Sequence, residues 1–267
     1  MEAGRTQVVF VHGLWLHADS WSPWVDAFNE VGYSGRAIGW PGDGDTVAAT
    51  RAASDRVANH GLAEIVAHHA AEIAKLGGRP IVIGHSFGGL IAQRLLSDGV
   101  ASAAVAIDPA PAKGVLLLPP SAFRVAAVAL RNPANRKRAV FLTKEQFRYG
   151  FGNALSRSES DELWERWAIP SPGKPLFDAA LANFAPHSPA AVDRKSDTRG
   201  PLLITAGGKD HTVPAAVNRQ TQKLYRRSSA VTDLRAFPKR GHSLTIDSGW
   251  REVADVVLGW LGEQRLH

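Results

Sequence analysis

The feature that most constrains the fold is a glycine-rich turn between an apolar strand and a helix. The turn reads Gly84-His85-Ser86-Phe87-Gly88-Gly89, follows the apolar run 81–83, and leads into helix-forming residues as far as Leu96. Glycines two residues before and after Ser86 let strand and helix approach closely, and the sharp turn projects the serine hydroxyl from the sheet edge. The pattern predicts that Ser86 is a nucleophile. The alternative is a structural turn in which the serine only caps the helix.

A serine hydroxyl needs a base to become nucleophilic at neutral pH. The chain has 10 histidines, so their context must decide between them. His242 follows a strand predicted over 231–237 and precedes a helix predicted over 250–264, whose apolar residues recur at helical spacing. His242 is therefore the expected base, the alternative being an exposed loop histidine.

The base in turn needs an orienting acid. Asp210 lies in the turn after an apolar strand predicted over 201–206, and 242 − 210 = 32 residues separate it from His242, enough for one helix and one strand. Asp108 is the rival, because it ends another predicted strand, 103–107. We favour Asp210. The alternative for either residue is an aspartate that caps a turn or a helix.

An oxyanion hole requires backbone N–H groups aimed at the developing negative charge. Phe87 supplies one by its position after Ser86. The loop that follows the predicted strand 7–11 contains Gly13, which permits a sharp turn, and Leu14, whose N–H is the expected second donor. His12 is expected to brace this loop rather than to take part in the chemistry.

Taken together, these segments resemble the α/β-hydrolase family. The resemblance rests on Val11-His12-Gly13, Pro41-Gly42-Asp43-Gly44, the turn around Ser86, Gly208-Lys209-Asp210-His211-Thr212-Val213-Pro214 and Gly241-His242. The chain order Ser, Asp, His is the order of that family. The resemblance implies an α/β fold with a mostly parallel central sheet flanked by helices, and an active site at the carboxyl ends of the strands. It also implies a serine hydrolase that cleaves carboxylic esters of small, largely apolar molecules through Ser86, Asp210 and His242 and an acyl-enzyme intermediate.

The alternation of strands and helices stops between about residues 108 and 193. The resemblance implies an inserted all-helical cap at 110–193 and a core domain formed by 1–109 and 194–267. Helices are predicted over about 143–151, 159–167 and 176–184, the first from a capping-box pattern. We expect an apolar substrate pocket lined by Trp15, Phe147, Phe151, Trp164 and Trp167. The alternative is that most of the aromatic residues pack the cap onto the core.

Composition removes several other classes of protein. The absence of cysteine excludes disulfides and thiol catalysis. No secretory signal or membrane-spanning run is recognised, so a cytoplasmic protein is expected. The net charge of +6 comes from scattered basic clusters without a nucleic-acid motif, which favours a solvated surface over nucleic-acid binding. The adjacent His68 and His69 lack the spacing of a helical metal site, so no metal and no cofactor are expected.

The same machinery serves several reactions, and the sequence leaves them open. Lactone opening, C–C bond hydrolysis, perhydrolysis and cyanohydrin cleavage by a hydroxynitrile lyase are alternatives, as is a weakly catalytic ligand receptor. A small-molecule substrate is expected in each case, and a monomer and a homodimer are equally compatible with the sequence.

Overall fold

A six-stranded parallel sheet forms the centre of the molecule, for which a computed structural model describes residues 5–267. The strands in chain order are β1 (Gln7–Val11), β2 (Ser34–Ile38), β3 (Ile81–His85), β4 (Ala103–Ile107), two short strands β5 (Ala139–Val140) and β6 (Ser171–Pro172), then β7 (Leu202–Gly207) and β8 (Thr232–Phe237). The main sheet has the order β2-β1-β3-β4-β7-β8, while β5 and β6 pair antiparallel with each other. All pairs within the main sheet are parallel, as an α/β fold requires.

Helices cover both faces of the main sheet. In chain order, the α-helices of the described residues are α1 (Ser22–Glu30), α2 (Val47–Ala52), α3 (Leu62–Ala74), α4 (Phe87–Ser97), α5 (Pro120–Leu130), α6 (Lys144–Gly150), α7 (Arg157–Trp167), α8 (Lys174–Ala180), α9 (Ala215–Leu224) and α10 (Trp250–Glu263). Strand β1 shows why two faces are needed: Val8 and Phe10 belong to one apolar core, and Val9 and Val11 to the other. The alternating side chains of a strand point to opposite faces, so both must be covered.

The first core is aromatic, and the second is continuous with the segment that follows β4. Side chains from α1 and α10, including Trp24, Phe28 and Trp260, cover the face of Val8 and Phe10. Helices α3 and α4 cover the other face with aliphatic side chains. Among the described residues no helix is both long and apolar enough to cross a membrane.

The segment between β4 and β7 is mainly helical and carries α5 to α8 together with the β5–β6 pair. Helix α6 has the capping box expected at Thr143, whose hydroxyl accepts from Gln146 N while the Gln146 side chain accepts from Thr143 N. The helices predicted near 159–167 and 176–184 occur as α7 and α8. Helix α5 was not predicted, although Pro120 at its first position is a recognised helix start.

Candidate active site

Ser86 occupies the turn between β3 and α4 in a backbone conformation that side chains rarely adopt. Its φ is 55° and its ψ is −119°. Its N–H donates to Ile107 O of β4 at 2.9 Å, and its own carbonyl accepts from Gly89 N at 2.9 Å. A Cβ at Gly88 would lie 2.1 Å from Val11 O, so only glycine permits α4 to approach β1 this closely. The surrounding backbone therefore fixes a strained serine at the carboxyl edge of the sheet.

Asp210 and His242 meet at the same edge, after β7 and β8. Asp210 Oδ2 and His242 Nδ1 are 2.6 Å apart, and both side chains are completely buried. The other carboxylate oxygen of Asp210 accepts from Thr212 N at 2.7 Å and from Val213 N at 2.8 Å. These backbone donors fix the carboxylate, which in turn fixes the imidazole.

The second ring nitrogen of His242 is free of these constraints. Among the described residues, His242 Nε2 has no hydrogen-bond partner, and Ser86 Oγ is not bonded to it. The ring of His85 lies 4.5 Å from that of His242, centroid to centroid, directly before Ser86 in the chain. Burial, followed by the charge of His242, lowers the pKa of His85 well below its ordinary value. A neutral His85 therefore packs against the face of His242.

Asp108 lies behind this pair. It is fully buried at the end of β4, its φ is 42°, and it accepts hydrogen bonds from Thr205 Oγ1 at 2.8 Å and Gly207 N at 2.9 Å. One carboxylate oxygen of Asp108, one of Asp210 and a ring nitrogen of His242 lie within 4.8 Å of one another. The contacts among these three side chains account for their closeness without an ion.

The two carboxyl groups have opposite pKa shifts. Burial, reinforced by the negative charge of Asp210, raises the pKa of Asp108 well above its ordinary value. Burial also tends to raise the pKa of Asp210, but the charge and hydrogen bond of His242, with a further hydrogen bond from Asp108, lower it below its ordinary value. Two carboxylates this close do not ionise together. These opposite shifts favour one negative charge on the pair, centred on the aspartate that contacts His242.

The end of α6 holds both of these loops in place. Thr212 Oγ1 donates to Gly150 O at 2.8 Å, which ties the Asp210 loop to α6. Ser243 N donates to Phe151 O at 3.2 Å, and the Phe151 ring lies edge-on to His242 at 4.8 Å between centroids. The segment between β4 and β7 thus contributes directly to the position of the histidine.

The loop after β1 lies beside Ser86, as expected. Among the described residues, the N–H groups of Leu14 and Phe87 donate to no acceptor. His12 Nε2 lies 3.0 Å from Asp43 Oδ2, and its ring stacks on Trp40, so this histidine braces the loop. Trp15 has a φ of 68° and donates its N–H to Ser171 Oγ at 2.7 Å. The loop therefore presents the unbonded N–H of Leu14, and the start of α4 presents that of Phe87, while His12 and Trp15 anchor the loop.

A cavity of about 460 Å³ opens above Ser86. Leu14, Trp15, Phe87 and Val213 surround the serine, while α5 and α8 form the walls. The polar side chains in the lining are Ser86, Asn183 and Thr212, and no charged side chain occurs there among the described residues. The site can therefore enclose an uncharged, largely apolar molecule next to the serine.

The structure places one of the five expected pocket aromatics, Trp15, in this cavity. Phe147 and Phe151 are buried and stacked on each other 4.8 Å apart, and Trp164 stacks on Phe141 and donates to Leu142 O. Trp167 packs against the apolar core. These four lie outside the lining because they pack the segment between β4 and β7 onto the sheet.

Besides Trp15 and Phe87, the aromatic residues that line the cavity are Phe123 and Phe184, which the predicted set of five pocket residues did not include. They lie near the run Leu116-Leu117-Leu118, which also lines the cavity. One sequence signal could have located this wall. An apolar run ends in Pro119-Pro120, and this proline pair indicates the start of a helix.

Comparisons with known proteins agree with this architecture. The structure resembles a monoacylglycerol lipase from Paleococcus ferrophilus (22% identity, 97% of this chain and 94% of that chain, TM-score 0.69). It also resembles a methylesterase from Arabidopsis (16%, 96% and 99%, TM-score 0.68) and an extracellular alpha/beta-hydrolase from a Paenibacillus species (17%, 95% and 98%, TM-score 0.67). At identities this low, the comparisons show only that the fold is shared.

Sequence comparison identifies the family. No curated protein matches the chain in sequence. The family model described as "Alpha/beta hydrolase family", however, matches residues 8–256, which contain all of the main sheet except Gln7 and every residue of the site. The chain therefore belongs to the alpha/beta hydrolase family.

Proposed function

We propose that this protein is a serine hydrolase that cleaves carboxylic esters of small, largely apolar molecules. The observation that carries the proposal is the strained Ser86 (φ 55°) facing an uncharged cavity at the edge where Asp210 and His242 are 2.6 Å apart. A nucleophile, an oriented base and unbonded N–H donors at one site are the components that acyl transfer requires.

In the proposed mechanism, Ser86 Oγ attacks the ester carbonyl while His242 Nε2 takes its proton. Asp210 orients the imidazole and stabilises the imidazolium that forms. The N–H groups of Leu14 and Phe87 hold the oxyanion, each contributing about 3–4 kcal/mol to the stability of the transition state. His242 then protonates the leaving alcohol, and later activates the water that releases the acid and regenerates Ser86.

The lining of the cavity supports an apolar ester over a cyanohydrin. It holds no lysine or other charged group, among the described residues, that would stabilise a cyanide leaving group. A volume of about 460 Å³ suits a small molecule or a short acyl chain.

The test is reaction of the purified protein with a fluorophosphonate probe and a series of p-nitrophenyl esters, beside Ser86→Ala and Ser102→Ala. Ser102 directly precedes β4, at the end of the strand opposite to the site, and is the matched control. We expect labelling and turnover in the parent and in Ser102→Ala, and neither in Ser86→Ala. Turnover that persists in Ser86→Ala would exclude the mechanism. Labelling without turnover of any ester would exclude the substrate class.

A further inference from the structure

The opening of the cavity is surrounded by exposed apolar side chains. Five of the nine large apolar side chains that are exposed in the described chain line this one cavity: Leu116, Leu117, Leu118, Phe123 and Phe184. We call these five residues the apolar rim. The exposed fraction is 74% for Leu116, 61% for Leu118 and 84% for Phe184. Contiguous exposed apolar surface of this kind marks a site of interaction.

Hydrogen bonds hold the backbone of the rim in place. Gln220 Oε1 accepts from Leu116 N at 3.2 Å and from Leu117 N at 3.0 Å. Asn183 joins the two parts of the rim, since its side chain accepts from Gly114 N at 2.7 Å and donates to Val115 O at 2.8 Å. The side chains are therefore presented to solvent by an ordered backbone rather than by a frayed loop.

The charge of the protein is concentrated in the same part of the chain. Residues 109–144 contain seven Lys or Arg and no Asp or Glu, a charge of +7, whereas the whole chain carries +6; the remainder therefore sums to −1. Arg131, Arg136, Lys137 and Arg138 follow α5 directly, are exposed, and form no ion pair with any described residue. Lys113 lies at the other end, three residues before Leu116.

An apolar rim with cations near it in the chain, of which Arg124 and Arg131 line one surface depression together with Phe123 of the rim, fits one kind of partner. A second copy of the chain would place seven cations against seven, and a nucleic acid would leave the apolar centre uncovered. An anionic lipid surface satisfies both parts, because acyl chains take up the apolar side chains and headgroups neutralise the cations. The rim also surrounds the opening to Ser86, so a molecule that leaves the lipid there enters the cavity without crossing water.

We propose that the apolar rim and the cations beside it dock on an anionic lipid surface, and that the ester substrate is a lipid-borne acyl ester delivered through the rim to Ser86. The second half rests on the proposed esterase function, whereas the docking does not. Both the apolar rim and the cations are needed, because insertion of a small apolar surface alone gives weak membrane binding and the cations strengthen it.

The experiment measures sedimentation of the full Ser86→Ala chain with vesicles of phosphatidylcholine alone and of phosphatidylcholine containing phosphatidylglycerol. Ser86→Ala binds without consuming lipid. We expect binding to the anionic vesicles only, weakening as salt is raised. Adding Phe184→Ser, or Arg136→Ser with Lys137→Ser, should weaken binding at least about tenfold. The matched controls are Val31→Ser, an apolar side chain 54% exposed at the end of α1, and Arg5→Ser with Arg265→Ser.

The outcomes separate docking from catalysis. Absence of binding to anionic vesicles, or equal losses in rim and control variants, would overturn the docking proposal even if the parent cleaves soluble esters. Binding with the expected variant pattern, in a protein that cleaves no ester, would leave the docking and overturn the esterase function. Cleavage of soluble esters with no added rate on the same ester in anionic vesicles would overturn delivery through the rim.

Discussion

The two ends of the cavity are built in opposite ways. At its base Asp108, Asp210 and His242 are buried and tied by hydrogen bonds to β7 and to the end of α6. At its opening, Leu116 and Phe184 expose most of their side-chain surface, and no polar contact fixes those side chains. Reaction chemistry needs fixed atoms, whereas recognition of apolar molecules needs surface area. The base should therefore tolerate almost no substitution and the rim a good deal.

The largest effect should follow removal of His242, the proposed general base. We expect His242→Ala to lower kcat by about 10⁴-fold or more, since triad members act as a unit. KM should change little, because the buried His242 does not line the cavity. Steady-state kinetics on a p-nitrophenyl ester measures both, with the exposed His187→Ala as control. A raised KM with unchanged kcat would show that His242 binds substrate instead.

The next largest effect tests the backbone beside Ser86. A Cβ on residue 13 would lie 2.8 Å from Ser86 Cβ and 2.9 Å from His85 O. Gly13→Ala should therefore displace the loop that carries the Leu14 N–H, and lower kcat by on the order of a hundredfold or more. Gly259→Ala is the control, because a Cβ there meets nothing within 4 Å. Equal activity in both variants would show that the position of this loop does not affect the reaction.

An intermediate effect tests the buried carboxyl pair through stability. Asp108→Asn keeps one acceptor oxygen and so loses one of the two hydrogen bonds that Asp108 accepts from Thr205 Oγ1 and Gly207 N, which costs about 1–3 kcal/mol of unfolding free energy. In the parent protein, Asp108 also makes the free energy of unfolding depend on pH. Because the folded pKa of Asp108 is raised above 3.8, the folded state holds a proton that the unfolded state has lost, and stability falls as pH rises from about 4 to that folded pKa. Asparagine does not titrate, so it adds no such pH dependence to the stability of the variant.

The stability deficit of Asp108→Asn should therefore narrow as pH rises above about 4. Urea unfolding of the parent and the variant between about pH 4 and about pH 8 measures this deficit, because an unfolded aspartate begins to ionise near the lower value and is fully ionised at the upper one. Asp108→Ala provides the comparison, since it lacks both the charge and the hydrogen-bonding side chain. A deficit that is constant across this range would mean that Asp108 is ionised in the folded protein.

The smallest effect on stability is expected at the rim. Leu118→Ser removes a side chain that is 61% exposed, so the unfolding free energy should change by no more than about 0.5 kcal/mol. The preference among ester chain lengths should shift toward shorter chains, because Leu118 lines the cavity. Thermal unfolding and a chain-length series measure the two effects. A large loss of stability would show that the rim is part of the core.

The base of the cavity could be predicted from the sequence because local signals mark it. Ser86, Asp210 and His242 each follow a strand and lie in a turn with glycine or proline nearby, and parallel strands bring such turns to one edge. The supporting role of Asp108 was not predicted. The sequence presents it only as a rival to Asp210, and its contact with that carboxyl depends on β4 lying next to β7.

The cavity walls could not be predicted for a different reason. Phe147 and Phe123 both lie in helices of the same segment, yet the first is buried and the second 56% exposed. Which face of each helix meets the sheet depends on the packing of α5, α6 and α8, and no periodicity in a short helix specifies it. Aromatic character alone therefore identified residues of the segment without separating packing from lining.

The parallel strand order also bears on when the protein becomes active during its synthesis. The site combines Leu14 after β1, Ser86 after β3, Asp210 after β7 and His242 after β8, the edge strand and the last to be made. A ribosome-bound chain shorter than residue 242 already contains the serine but lacks its base. Under the proposed mechanism, the nascent protein therefore lacks an activated serine until the residues after β8 have been made and have folded at the edge of the sheet.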